Sequence, residues 1–490
     1  MKIYFYKDVV MRFVDRKEEL AALKEAYLAR NSNLVVVYGR RRIGKTELIK
    51  RFGEEIGKRF AYYLCDTTPI SEQTRRIATT VGIAIGDEEL ISMGAASIEA
   101  ILYKVSKSKL SGKLVLVFDE FQNLARVDKA IPSIFQRAWD MYLNASKNVM
   151  LILSGSSISM MRSEVLSYSA PLYGRSTQIF ALKPLSPEFA IALAPKNMPF
   201  KEKLYMYFML GGVPAYYASL AGTIKEYENA RIGVIVNEML KEGSIFTSEP
   251  NLLLSEEVRD DTRYMQILEL IANGVNKPGE IASKLGIAHA NLDKYISMLE
   301  YIDIVEKELP VTANKIRKSK KGIYRIKDNF IDFYFKELKR SIAYKNAERI
   351  INDLDFIAQL RFESFAREML AFMSRTGRVN ITFTKIGRWW GVDPSKKSSG
   401  NQEEIDIVAL NEDTKDILFG ECKWSNSKIG KEVYYDLKRK ASFVQWHNNE
   451  RHEHFALFAK SDFTDEMKEI AKKEGVMLFD LAAIEKALSA

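Results

Sequence analysis

Residues 39–46 read GRRRIGKT directly after the apolar run LVVVY, and residues 114–120 read LVLVFDE. A lysine and a hydroxyl in a glycine-bearing loop, facing an acidic pair at the end of a second apolar strand, are the groups that hold a nucleoside triphosphate and its magnesium ion. Far downstream, EEIDIVAL at 403–410 and ILFGECKW at 417–424 place Asp406, Glu421 and Lys423 on two short apolar strands. Two carboxylates beside one ammonium suit a hard cation and a phosphodiester. The spacing predicts nucleotide chemistry at one end of the chain and nucleic-acid chemistry at the other.

In the first constellation, Gly39 and Gly44 leave room for backbone to wrap a phosphate, with loop amides and a helix N-terminus aimed at the anion. Lys45 is expected to neutralise the β/γ-phosphates of ATP and Thr46 to ligate Mg2+. Asp119 would hold that ion through water, and Glu120 would polarise the attacking water. Arg42 and Glu47 flank the lysine and are counted with the same ATP site. Hydrolysis is a separate expectation from binding, because a switch protein can hold ATP for long periods. The triplet Arg40, Arg41, Arg42 suits phosphate or DNA contact, and an exposed loop equally well.

In the second, strand alternation puts Glu421 and Lys423 on one face with Cys422 directed away, and Asp406 meets them across a hairpin-like pair. A metal-held water would attack phosphodiester while Lys423 and the ion stabilise the developing charge. Glu363, in RFESFAREML, is a further carboxylate reaching the metal through water. Of Trp389 and Trp390, one ring is expected to pack inward as core rather than stack on bases. His447, His452 and His454 lack cysteine or acidic ligands at matching spacing and read as a solvated turn.

These groups need elements to place them. DRKEELAALKEAYL predicts a helix, with Glu18 where a capping box from Asp15 would want it. Apolar runs at 34–38, 60–65, 114–118, 149–153 and 177–182 alternate with helical patterns, as in a parallel sheet covered on both faces. The pattern is helical to about residue 258. Three helical segments over 263–301 and two strands, IVEKELPV and GIYRIKD, then predict a winged helix. Its presumed recognition helix offers Asn291 and Lys294 but also Asp293 and Glu300, which is poor for base reading. The wing tip carries Lys315, Arg317, Lys318, Lys320 and Lys321 with no acid among them, as backbone contact with DNA would require. A second α/β unit follows from about 336. The expected divisions are 1–185, 186–258, 259–335 and 336–490.

Composition agrees with this plan. At 490 residues the chain exceeds one core, and ~3 or 4 domains are expected. A formal charge of +9 favours polyanions without the excess of a histone-like binder. Cys65 and Cys422 alone give no disulfide framework. Every apolar run is far shorter than the roughly 18 residues a membrane span needs, and MKIYFYKDVV lacks a signal-peptide cleavage site. A cytoplasmic protein with no membrane partner is expected.

The segments FVDRKEEL, GRRRIGKT, VFDEFQ, LSGSS, PLYGR and GGVPAYY, in that order, resemble the archaeal ATPase family, a branch of the STAND and AAA-like P-loop ATPases. The resemblance implies an additional strand between the two carrying the nucleotide motifs. It implies a polar sensor at Ser156, an arginine finger at Arg175 working within the chain or across a homo-oligomer, and Pro214 near the adenine. Plainer roles compete: a helix cap, a surface ion pair and a helix breaker. The C-terminal order of helix, three strands, helix and strand resembles the restriction-endonuclease-like PD-(D/E)XK fold, and RYMQIL, FIDFYF, GRWW, EIDIVAL and ECKW look like the domain commonly appended to such ATPases. The acidic motif departs from the pattern, with isoleucine where proline adjoins the aspartate.

The expected fold class is therefore α/β: a P-loop NTPase parallel sheet with a helical lid, a winged-helix domain and a C-terminal α/β restriction-endonuclease-like domain. The expected function is an ATPase that binds DNA and cleaves it with Mg2+. The alternative is a nucleotide-gated switch or scaffold whose C-terminal domain binds a partner protein without cleavage.

Overall fold

The computed structural model describes residues 13–57, 59–92, 94–109, 112–313, 322–344, 346–393 and 402–489. The five N-terminal strands are β1 (Asn33–Tyr38), β2 (Phe60–Leu64), β3 (Leu114–Asp119), β4 (Val149–Gly155) and β5 (Gln178–Ala181). All pair in parallel, in the order β2-β3-β4-β1-β5. β1, β3 and β4 are buried along their whole length, which is why they read as unbroken apolar runs rather than alternating ones. Val36, Leu116 and Leu153 pack into one core and Val37, Val117 and Ile152 into another on the opposite face, following the two-residue period of a strand. β4 lies between β1 and β3, the inserted strand that the resemblance implies.

The first helix, Lys17–Leu28, is not capped as expected. Asp15 and Arg16 both have left-handed backbones, at φ 63° and 65°, and no side chain caps the helix. Arg16 instead turns inward, donating to the carbonyls of Lys183 at 2.6 Å and Ile43 at 3.4 Å. Tying the helix entry to the sheet's C-terminal edge outweighs a local capping box.

Helices Pro187–Ala192, Phe200–Leu210, Pro214–Thr223, Ile232–Leu240 and Glu249–Ser255 follow. Next come Thr262–Ala272, Pro278–Leu285 and His289–Tyr301, then β6 (Val305–Glu308) and β7 (Ile323–Ile326), an antiparallel pair. The long helix Leu354–Arg375 leads into β8 (Lys385–Val392), β9 (Gln402–Leu410), β10 (Asp416–Lys423), β11 (His452–Ala459) and β12 (Met477–Phe479). Their order is β12-β11-β10-β9-β8; β9 runs antiparallel to both of its neighbours, β8 and β10, while β10, β11 and β12 are parallel. One apolar core runs without a break from Leu185 to Ile484, so the helices after the first sheet, the β6–β7 hairpin and one face of the second sheet are packed together. No helix among the described residues is long and apolar enough to cross a membrane.

An irregularity in the second sheet matters for its chemistry. Gly387 pairs with Val408 and Trp389 with Ile405, so Asp406 and Ile407 together oppose the single residue Arg388. Such a bulge twists the strand and re-aims its side chains. Ile405 and Ile407, two residues apart, accordingly fall into cores on opposite faces. Trp389 is buried in the second of these cores.

Candidate functional site

β1 ends at Tyr38, and the chain turns through residues 39–44 into the helix Lys45–Ile56. Glycine is required at the turn's start: at Gly39, with φ +149°, a Cβ would lie 2.5 Å from the Leu182 carbonyl oxygen. Arg42 and Gly44 are left-handed at φ 70° and 95°, which curls the loop around a cavity of about 620 Å³. Arg42, Gly44, Lys45, Thr46, Glu47, Glu120 and Pro214 all line that cavity. Lys45 is buried, and its Nζ donates to the carbonyls of Gly39 at 2.8 Å and Arg40 at 3.0 Å. Burial pulls its pKa down while the nearby Glu120 and Asp119 oppose that shift. The fold thus holds a dehydrated ammonium at the mouth of the loop, where an anionic ligand would replace two carbonyl acceptors.

Asp119 is fully enclosed behind Thr46. Its Oδ2 accepts from Thr46 Oγ1 at 2.7 Å and Tyr62 OH at 2.6 Å, and its Oδ1 from the Glu120 amide at 3.0 Å. Burial and the Asp119 charge raise the pKa of Tyr62, so it donates as a neutral hydroxyl. Glu120 sits at φ 55°, a costly backbone for a non-glycine residue and one often kept where function demands it. Its Oε2 accepts from the Ser156 hydroxyl at 2.6 Å, the Ser156 amide at 3.2 Å and Gln122 Nε2. Sequence reasoning named Ser156 and missed both Tyr62 and Gln122. The first is one aromatic among several in FAYYL, and the second has meaning only beside Ser156. Arg175 does not line the cavity; it grips Asp140 through Nε and Nη2, both at 2.8 Å, and donates to the carbonyls of Pro171 and Tyr173.

Of the arginine triplet, Arg40 is buried, Arg42 half-buried and Arg41 exposed, and each is paired with a carboxylate. Arg40 pairs with Asp328 at 2.6 Å, Arg41 with Glu256 at 2.5 Å and Arg42 with Glu249. Each partner lies more than 200 residues onward in the chain. The adjacent Glu257 carboxylate accepts from the Ile158 and Ser159 amides at 2.7 and 3.0 Å. The phosphate loop and the segment after β4 are therefore both fastened to the same helical region.

At the C-terminal end, a cavity of about 270 Å³ is lined by Glu363, Asp406, Glu421 and Lys423 together with Phe362, Cys422 and Trp424. Asp406, on the bulge of β9, accepts the Cys422 amide at 2.9 Å. Glu421 Oε1 accepts from Lys423 Nζ at 2.8 Å, with Lys440 at 3.5 Å. Burial pushes the Asp406 pKa up to about 6, with the Glu363 charge adding to it. Burial and then the charge of Asp406 raise Glu421. Glu363 itself lies 3.6 Å from Arg388.

Two facts test whether a divalent ion fits. Glu421 Oε2 is buried and makes no hydrogen bond with any described residue, and two enclosed carboxylates repel each other, a combination that a hard cation relieves. No set of three His, Cys, Asp or Glu side chains among the described residues is placed to hold a metal. What speaks for an ion here is the unpartnered Glu421 oxygen beside Asp406, a pair of the kind through which magnesium is bound while keeping several waters.

Trp424 extends this site toward the middle of the chain: its Nε1 donates to Asp355 Oδ1 at 2.8 Å, as do Tyr205 OH at 2.6 Å and Lys460 Nζ at 2.8 Å. Asn291, Asp293, Lys294 and Glu300 are exposed along His289–Tyr301. Lys315, Arg317, Lys318, Lys320 and Lys321 lie outside the described residues. His454 bonds Asp416 at 2.8 Å, and His447 lies 3.7 Å from Glu412.

Residues 13–220 match a family described as an ATPase domain predominantly from Archaea, and residues 328–433 match one described as archaeal and bacterial proteins of unknown function. The uncharacterized protein MJECL04 of Methanocaldococcus jannaschii is 34% identical over 477 residues, 96% of this chain and 99% of its own length. An uncharacterized ATP-binding protein of that organism, MJ0423, is 51% identical over 45 residues, 9% of this chain and 76% of its own. Among solved structures, a Walker-type ATPase of Pyrococcus abyssi is similar with a TM-score of 0.51 and 21% identity, over 66% of this chain and 95% of that one, a likeness of fold. With a relative of this identity aligned along nearly its whole length and an ATPase domain matched around the GRRRIGKT loop, the chain belongs to the archaeal P-loop ATPases.

Proposed function

We propose that this protein binds and hydrolyses ATP at the Lys45 cavity, binds DNA, and cleaves it at a magnesium-dependent centre built from Asp406, Glu421 and Lys423. In this reading residues 1–185 are the ATPase core, 186–258 a lid, 259–335 a winged helix and 336–490 a nuclease-like domain. Lys45 would neutralise the phosphates, Thr46 would ligate Mg2+ with Asp119 holding the ion through water, and Glu120 would orient the attacking water after release from Ser156 and Gln122. Pro214 packs at the ligand side of the cavity that it lines. Arg175 would serve as arginine finger only after leaving Asp140, in this chain or toward a second copy.

The observation carrying the nuclease half is the buried, unpartnered Glu421 Oε2 beside Asp406 in one cavity with Lys423. A divalent ion held by those two carboxylates would supply Lewis-acid stabilisation of a phosphorane-like transition state. Lys423 contributes a second positive charge there, Glu363 accepts a proton or a water, and the buried wall formed by Phe362 and Cys422 limits bulk solvent. The test is incubation of plasmid and of single- and double-stranded oligonucleotides with magnesium or manganese. Wild type should cut and a folded Asp406→Ala should not; a wild type that cuts none of them removes the nuclease half of the reading. Steady-state ATP turnover with and without DNA, against Lys45→Ala, tests the other half.

Two observations favour the second reading, a nucleotide-gated switch that binds a partner without cleavage. Lys423 and Lys440 already neutralise one oxygen of Glu421, and the arginine triplet ties the phosphate loop to distant segments as a switch requires. Purification with ADP bound, together with absence of cleavage, would select it.

A further inference from the structure

A separate cavity of about 430 Å³ opens between the β6–β7 hairpin, the helix Leu354–Arg375 and β8. Arg325 of β7, Arg367 of the helix and Arg388 of β8 all line it, as do Lys307 and Lys385, facing Glu306, Glu308 and Glu368. Positive charge is in excess, and the carboxylates are already engaged. Glu306 accepts from Arg325 at 2.9 Å, Glu308 lies 3.5 Å from Arg388 and 4.0 Å from Arg367, and Glu368 accepts from Tyr207 at 2.7 Å.

Arg367 is 9% exposed. Its Nη1 donates to the Asp406 carbonyl at 2.8 Å, whereas its Nη2 is buried and makes no hydrogen bond with any described residue; nor does Arg388 Nε. Buried donors of this strength are normally satisfied, and a planar guanidinium offers two parallel N–H groups to a phosphate.

We propose that this cavity binds a phosphate group, and that the group belongs to a polynucleotide whose neighbouring segment lies at the Asp406–Glu421 centre. The second clause rests on the nuclease reading above. Arg367 and Arg388 line this cavity and form a wall between it and the other, touching residues that line the second: one holds the Asp406 backbone, and the other lies against Glu363. A strand lying across that wall meets arginines on one side and the cation-binding carboxylates on the other. Free phosphate offers the same oxygens, so the source of the group is decided by measurement.

The full-length protein is studied in EDTA without ATP, so neither cleavage nor the nucleotide site enters. Anisotropy of labelled duplex and single-stranded oligonucleotides is recorded across a salt series, and thermal stability across an inorganic phosphate series. Arg325→Gln and Arg388→Gln should each weaken oligonucleotide binding about tenfold and lower the salt slope by about one phosphate contact. If Arg388→Gln fails to fold, Arg388→Lys keeps the charge and loses the planar fork, and should still weaken binding. Unchanged oligonucleotide affinity combined with loss of a phosphate-induced Tm rise keeps the phosphate site and overturns the polynucleotide source. Unchanged affinity, salt slope and phosphate response in folded variants overturn the proposal. A wild type that binds but never cuts leaves this site standing while removing the nuclease reading.

Discussion

Arg40 of the phosphate loop and Asp328, just beyond β7, form an ion pair of 2.6 Å with side chains only 9% and 5% exposed. Asp328 also caps the helix Asn329–Phe333, its Oδ1 accepting the Ile331 amide at 2.7 Å. Two charges are thus taken out of water to bind the mouth of the nucleotide site to a segment 288 residues away. Such a pair does not guarantee stability, but breaking one side of it strands the other charge. Asp328→Asn keeps an oxygen for the cap and removes the charge. It should lower unfolding free energy by about 3–5 kcal/mol, read by urea denaturation, and should weaken ATP binding. The double variant Arg40→Met with Asp328→Asn should recover most of the loss; a double variant as unstable as the sum of the singles would mean the two residues act independently.

Lys45 and Glu120 are expected to separate binding from turnover. Lys45 is the buried cation facing the cavity, and Glu120 is parked on Ser156 and Gln122. Lys45→Ala should abolish the rise in Tm that ATP and magnesium produce. Glu120→Gln should retain that rise while lowering turnover by about 10²-fold or more. Equal loss of both properties in Glu120→Gln would mean the carboxylate holds nucleotide rather than activating water.

The parts of this molecule that follow from local chemistry were legible in its sequence. Apolar runs were enough for the five parallel strands, most plainly for β1, β3 and β4, which are buried throughout and so must be apolar on both faces. GRRRIGKT and FDE share the cavity beside Lys45 because both motifs stand at junctions of strand and helix, where phosphate binding would need them. ECK put Glu421 and Lys423 together by strand alternation alone. What escaped depends on distant partners. The arginine triplet looks the same whether it faces solvent or Glu249, Glu256 and Asp328, and Tyr62 acquires a role only through Asp119 on the neighbouring strand. The bulge that makes Asp406 and Ile407 oppose Arg388 has no turn residue to announce it. At Asp15 the capping signal was present, yet the inward pull on Arg16 prevailed.

Gly212 marks a contact that tolerates no side chain. A Cβ there would lie 1.8 Å from the Leu185 carbonyl oxygen, and the Leu185 amide donates to the Gly212 carbonyl at 2.7 Å. Leu185 in turn lines the nucleotide cavity two positions of chain away from Lys183, which holds Arg16. Gly212→Ala must push two backbones apart, at a cost of about 1–3 kcal/mol, and should lower both Tm and ATP affinity. Gly279, in the helix Pro278–Leu285 with nothing within 4 Å of its added Cβ, is the control. Gly279→Ala should leave ATP affinity alone and stabilise slightly, by about 0.5–1 kcal/mol. A Gly212→Ala protein that melts and binds as wild type would show that the two strands of chain separate freely.

The Asp406 carboxyl gives the C-terminal centre a pH signature that needs no cleavage assay. Burial and Glu363 hold its pKa at about 6, against the opposing influence of the Cys422 amide, Lys423 and Arg388. An acid whose pKa rises on folding keeps its proton more firmly in the native state, so stability falls as pH climbs from the usual carboxylate range through about 6 and stays reduced above it. In EDTA at pH 7.5, Asp406→Asn should therefore melt higher than wild type, by about 2–4 °C for each kcal/mol relieved. At pH 4.5, where the native carboxyl carries its proton, the two should melt together. Saturating magnesium at pH 7.5 should reverse the order, raising wild type and leaving Asp406→Asn unmoved, because the ion binds the folded carboxylate and not the amide. A wild type indifferent to magnesium, or a variant that gains nothing in EDTA, would mean that Asp406 is neither crowded by charge nor poised to hold a cation.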